Sequence, residues 1–214
     1  MKPNLFDANA EHQIDVFVHS WYDADTPGTL YYAANDNPTF QKATDPIPSN
    51  VIQQLYDNYN PVRLELERPR TFDVKRYYER RMVDAIPENG MSRLYSINRV
   101  LHNCRSYAYD AGFTYDVIVN TRYDFILNSP VKFDSVVESG VYHPGFSPHG
   151  FNVCFAMGKS NDMGWYGKLY GMVDAIFNTG VTWCDELLTV QHLKLLDIPT
   201  HNLHIPNGIN RGTV

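Results

Sequence analysis

The chain has 214 residues, 43% of them apolar, and a formal net charge of −6, which suits one domain over residues 1–214 with a sizeable core and excludes the basic footprint of a nucleic-acid binder. Its three cysteines form no CxxC pair, which argues against a zinc site, and no apolar stretch approaches the roughly 20 residues that cross a bilayer. The odd cysteine count and a polar start without a leader-like apolar run predict a reducing, cytoplasmic setting.

Residues 14–19, IDVFVH, are short, β-branched and aromatic, and predict a strand. Residues 20–40 follow, rich in Gly, Pro, Asn and Asp, and predict a long loop of the kind that often carries function. Ser49 is placed to cap a helix to residue 59, with Val51, Ile52 and Leu55 on one side and Pro61 ending it. Residues 62–67, VRLELE, alternate as a half-exposed strand does. Residues 72–86 predict a polar helix, in which Lys75, Arg76, Arg80 and Arg81 form a solvated basic face.

Ser92 can begin a longer helix, because Leu94, Ile97, Val100, Leu101, Cys104 and Ala108 recur at steps of three and four. Gly112 stands where a helix end takes a left-handed residue. Residues 115–121 then predict an apolar, central strand, and 141–143 and 152–157 predict two more. Ser160 opens a helix to about residue 178, closed by Gly180, and residues 185–196 form another. A last strand at 202–205 precedes a polar tail. Strands alternating with helices predict an α/β domain, with a mostly parallel central sheet flanked by helices.

Ligands of open α/β sheets bind beyond the carboxyl ends of the strands. Arg122 and Asp124 stand there, after the strand 115–121. If the chain stays extended, residues two apart point to one side, about 7 Å apart. Arg offers a planar fork for phosphate, and Asp offers oxygen to Mg²⁺. An ion pair between the two is the plain alternative, and spacing alone leaves both readings open. His19 and Trp21 follow the first strand in the same way, as a ligand-stacking edge or as packed side chains. Asp185 and Glu186 open a helix, where the macrodipole favours acids and where one could also serve as a general base. His201 and His204 are more simply packed or exposed than metal ligands. The 15 tyrosines suit either half-buried strands or a surface that grips polar ligands. No G-x-S-x-G elbow, G-x-x-x-x-G-K-[ST] loop or G-x-G-x-x-G turn is present.

Six segments together resemble glycosyltransferase-like proteins of bacteria and viruses with a GT-A type nucleotide-sugar fold. They are IDVFVHSW (14–21), VRLELERP (62–69), LYSINRVLHNC (94–104), YDVIVNTRYDF (115–125), FNVCFAMGKSNDM (151–163) and CDELLTVQHLKLLDI (184–198). The resemblance implies that Arg122-Tyr123-Asp124 takes the place of the D-x-D motif, which holds a divalent metal and the donor diphosphate. Only its last acid, Asp124, is present, so Mn²⁺ or Mg²⁺ would rest on that residue, with Arg122 partly replacing the cation. It further implies that Ser96 and Arg99 lie near the nucleotide, and that Glu186 or Asp185 deprotonates an acceptor hydroxyl. The chain before residue 14 is short and polar, so the usual first strand is not expected. Gly150, Phe151 and Asn152 stand where relatives often carry an acid.

The activity implied is sugar transfer from a nucleotide-sugar donor to a carbohydrate or other hydroxyl acceptor, of the hexosyltransferase type used in polysaccharide biosynthesis. The alternative is a carbohydrate- or nucleotide-binding module that has lost catalysis. A third reading is a metal-dependent hydrolase using Asp124 with His201 or His204.

Overall fold

The computed structural model describes residues 2–22, 50–147 and 150–209. The expected cap Ser49 and most of the expected 20–40 loop lie outside the described residues. A short helix, α1 (Lys2–Leu5), and a 3-10 turn (Asp7–Asn9) open the chain. The buried Asn9 amide donates to the carbonyls of Leu5 and Val131, at 2.6 and 2.7 Å, which ties this end to the body. No strand precedes β1 (Phe17–Trp21) among the described residues.

After α2 (Val51–Tyr59), Asn60 adopts a left-handed φ of 41° and turns the chain into β2 (Arg63–Glu67). β1 and β2 pair in parallel, with His19 opposite Glu65 and Trp21 opposite Glu67. The two-residue period then puts Glu65 and Glu67 on one face of β2, and Leu64 and Leu66 on the other.

The expected helix over 72–86 is reduced to one 3-10 segment, Lys75–Arg80. Its end is claimed by another partner: Trp183 N–H donates to the Arg80 carbonyl, and Met82 N–H to that of Trp183. Those bonds replace the next helical turn. Tyr77 in this segment is buried, with its ring stacked on Trp183 at 4.1 Å.

The long helix α3 (Pro87–Asp110) begins five residues before Ser92, with Pro87 in its first turn, where a missing N–H costs nothing. Gly90 lets α3 approach closely, since a Cβ there would sit 3.2 Å from the Trp183 ring. Gly112, at φ +75°, ends the helix as its position predicts.

The remaining elements are β3 (Ile118–Thr121), β4 (Phe125–Leu127), β5 (Val141–His143), a small hairpin of β6 (Phe146–Ser147) and β7 (Gly150–Phe151), and β8 (Phe155–Gly158). They are followed by α4 (Ser160–Tyr166), α5 (Leu169–Asn178), α6 (Asp185–Leu195), β9 (Thr200–Asn202) and β10 (Asn207–Ile209). The expected single helix over 160–178 is split into two at Gly167, whose backbone lies against Leu101, where a Cβ would be 2.8 Å from Cδ1. The tail expected to be loop supplies β10, antiparallel to β4.

The fold is α/β, but its largest sheet is mixed rather than mostly parallel. The strand order is β3-β8-β5-β9, with β8 antiparallel to both neighbours and β5 parallel to β9. β8 is the central strand and β3 lies at the edge. The run Phe155-Ala-Met-Gly is buried throughout, as a strand covered on both faces must be. Phe155 and Met157 point into a core with Phe125, Leu127 and Tyr142, while Ala156 points to another with Ile97, Leu101 and Ile118. A third core gathers Tyr77, Leu94, Trp183, Leu188 and α5. No helix among the described residues is long and apolar enough to cross a membrane.

Candidate functional site

No ladder joins β1 to β3; they belong to separate sheets. They are tied near their starts, where the Tyr115 hydroxyl donates to Asp15 Oδ2 at 2.6 Å and the Tyr115 ring meets Phe17 edge-on. Between them opens a cavity of about 2350 Å³, larger than the few hundred to a thousand Å³ of an ordinary ligand pocket. His19 and Trp21 line it from β1, Arg122 and Asp124 from beyond β3, and Ser92, Arg93 and Ser96 from α3. The structure thus brings His19, Trp21, Ser96, Arg122 and Asp124 to one cavity. Arg99, Asp185 and Glu186 are not among its lining residues.

Arg122 and Asp124 do not sit on an extended strand. β3 ends at Thr121, and the Phe125 N–H donates back to the Arg122 carbonyl at 3.2 Å, closing a tight turn. The turn folds the two side chains onto each other. Arg122 Nε donates to Asp124 Oδ1 at 2.8 Å, and Nη2 donates to Oδ2. This is the bidentate pairing that the guanidinium fork favours. Arg122 Nη1 also reaches the buried Cys154 sulfur at 4.0 Å.

α6 begins at Asp185, and the first turn of this helix carries both Asp185 and Glu186. Asp185 is buried and faces α3, where Arg93 Nε lies 3.0 Å from its Oδ2. The contact is an ion pair without hydrogen-bond alignment, so Oδ2 has no hydrogen-bond partner among the described residues. The nearby Tyr166 hydroxyl, also buried, has none either. Burial pushes the Cys154 thiol up, against the pull of Arg93 and Arg122. Glu186 is half-buried.

A second polar cluster fills the interface of β1, β2 and α3. Tyr95, Arg99 and Asn103, spaced by four, form one stripe of the helix. The Tyr95 hydroxyl donates to both oxygens of Glu67, at 2.9 and 3.0 Å. Arg99 pairs with Glu65 and lies 3.3 Å from Glu67. Asn103 donates to Glu65 at 2.6 Å, and Arg70 to Glu67 at 2.6 Å. His19 Nε2 is 3.3 Å from Glu67, in an imidazole only 1% exposed. Burial lowers His19 below its ordinary value despite Glu67. Burial works to raise Glu65, but bonds from Arg99 and Asn103 outweigh it and hold it low. Glu67 is held low in the same way, with the Tyr95 bond as the leading counterweight to burial. Trp21 stacks on Tyr95 at 5.3 Å. Ser96, on the adjoining face, donates to the Ser92 carbonyl at 3.0 Å.

A divalent cation needs several oxygen or nitrogen ligands at one point. Both Asp124 oxygens are engaged by Arg122, and no group of three or more ligand-type side chains among the described residues includes Asp124. His19, Glu65 and Glu67 do converge, but Arg99 and Arg70 already neutralise those carboxylates. His201 Nε2 instead faces the Ser139 carbonyl at 3.0 Å, and neither it nor His204 joins Asp124 in such a group.

Sequence reasoning missed Arg93, Cys154, Glu65 and Glu67. Arg93 had a legible signal: Asn89, Ser92, Arg93 and Ser96 form a polar stripe on a helix otherwise read by its apolar ridge. Cys154 had none, since a lone cysteine in an apolar run reads as core. No protein-family model matches this chain, and no curated protein matches it.

Proposed function

We propose that the chain is a glycosyltransferase of GT-A type, moving a sugar from a nucleotide-sugar donor to a carbohydrate or other hydroxyl acceptor in the cytoplasm. The observation that supports this reading is the shared cavity. Two strand ends and the polar stripe of α3 open onto it, and it is large enough for a donor and part of an acceptor. In this reading Arg122, oriented by Asp124, meets the donor diphosphate and stabilises the charge that develops as the sugar leaves. Trp21, already stacked on Tyr95, offers an aromatic face to a base or sugar. Glu186 is better suited than Asp185 to deprotonate an acceptor, because Asp185 is buried against Arg93 whereas Glu186 is half-exposed.

The test is nucleotide release from UDP-, GDP- and CMP-sugars, with and without Mn²⁺. Asp124→Ala should abolish turnover while the thermal melt stays cooperative, and turnover unchanged in that variant would remove the assignment. A second reading, a nucleotide- or carbohydrate-binding module without catalysis, is favoured by the pairing of Arg122 with Asp124, which occupies the one acid of the motif. Calorimetric binding of a nucleotide sugar without turnover would select it.

A further inference from the structure

We propose that a cleft between α3 and the α4–α5 junction binds the anionic group of an acidic sugar, outside the cavity between β1 and β3. That the ligand is a sugar rests on the transferase reading; that it is an anion rests on the cleft alone.

The cleft encloses about 380 Å³, the size of one small ligand. One wall is a stripe of α3 made of Asn98, His102, Arg105 and Tyr109, at steps of four, three and four. At 3.6 residues per turn this stripe lies on the far side of α3 from Arg93, Ile97, Val100 and Cys104, which line the large cavity. The other wall is Gly164, Gly167 and Lys168. Two missing side chains let the walls meet. A Cβ on Gly164 would stand 2.6 Å from Arg105 Cζ, and one on Gly167 would stand 2.8 Å from Leu101 Cδ1. Asn98 closes the seam, with Nδ2 donating to the Gly167 carbonyl at 2.8 Å.

The Arg105 guanidinium is therefore seated against α4 by contact with a glycine and not by a carboxylate. Among the described residues no hydrogen bond or ion pair engages Arg105, His102 or Tyr109. A planar fork seated in this way keeps its N–H groups for an incoming carboxylate or phosphate. Lys168 follows Gly164 by four residues of helical backbone, about 6 Å along the axis, so a second cation adjoins the fork. Its ammonium rests on the Trp165 ring, 3.8 Å from the centroid, and pairs with no acid among the described residues. Asp110 is the one acid lining the cleft, against the two cations. Tyr109, 85% exposed, stands one turn along α3 from Arg105 and offers its ring to the apolar face of a sugar.

Calorimetry of the full chain at low salt, with trigalacturonate, glucose 6-phosphate and the neutral maltotriose, tests the cleft. At least one acidic sugar should bind, maltotriose should not, and binding should weaken as salt rises. Arg105→Gln and Lys168→Gln should each weaken it about tenfold, the loss of one charge-assisted contact. Both residues are exposed, so the melts of these variants should not move. Gly164→Ala keeps every charge, yet should weaken binding several-fold, because the added Cβ takes the place of the guanidinium. A diffuse basic surface would not register that change. Equal binding of maltotriose, binding indifferent to Arg105→Gln and Gly164→Ala, or no binding of either acidic sugar would overturn the proposal. Acidic-sugar binding without turnover of any nucleotide sugar would leave the cleft standing and remove the transferase reading. Turnover without such binding would do the reverse.

Discussion

Two polar regions adjoin α3, and their carboxylates are held differently. In the β1–β2 region every carboxylate takes several donors: Glu67 accepts from Tyr95 and Arg70, and Glu65 from Arg99 and Asn103. On the other side Asp185 meets Arg93 and Asp124 meets Arg122, and unpartnered buried polar atoms occur in both regions among the described residues: Asp185 Oδ2 and the Tyr166 hydroxyl here, His19 Nδ1 and Arg99 Nε there. A carboxylate that accepts from several donors is fixed more firmly than one held by a single arginine. That difference separates Arg99, which meets two carboxylates of β2, from Arg93, which lines the cavity. His19 touches both regions, lining the cavity while its Nε2 meets Glu67.

Breaking the β1–β2 side should give a large effect on stability. Glu65→Ala removes the acceptor of Arg99 and Asn103 together. The expected loss is about 2 kcal/mol, the range for hydrogen bonds to a charged group, read from urea midpoints. Affinity for a nucleoside diphosphate should change little, since Glu65 does not line the cavity.

Acid should weaken the same side. Burial lowers His19, so as pH falls through its ordinary 6.5 the unfolded chain takes the proton first, and stability present above that value is lost below it. Glu65 and Glu67 are held below their ordinary 4.5, so their contribution is present above that value and is lost as pH falls through their lowered values. Urea midpoints should therefore drop steadily from about pH 7 downward. His19→Gln should flatten the upper part of that fall, and His143 and His192, also lowered by burial, carry the remainder. A profile unchanged by His19→Gln would mean that its imidazole is solvated.

Tyr95→Phe should cost about 1 kcal/mol, one hydrogen bond shared between the two oxygens of Glu67. The Trp21 stack should survive, because the ring remains.

Local signals in the sequence were enough for α3, for β3 and for the acidic start of α6, because each rests on an apolar period or a terminal residue. Gly112 marked the end of α3 correctly, since its φ of +75° is a requirement of the backbone itself. Pairing was not legible. Residues 115–121 read as central because they are apolar, yet β8 is central, and only the register of β3 with β8 and β8 with β5 decides that. The 3-10 segment Lys75–Arg80 depends on the backbone of Trp183, a hundred residues away in sequence and invisible to any local pattern. At the site, Arg122 and Asp124 were visible as a pair, but the turn that folds them onto each other was not. Arg93 was hidden by the apolar ridge that made α3 so easy to recognise.

A crystal structure of the full chain soaked with a nucleoside diphosphate and Mn²⁺ tests the central claim most directly. The predicted result is a diphosphate in the cavity between β1 and β3, beside the turn that carries Arg122 and Asp124. A diphosphate bound through Mn²⁺ on His19, Glu65 and Glu67, or bound outside that cavity, would contradict it.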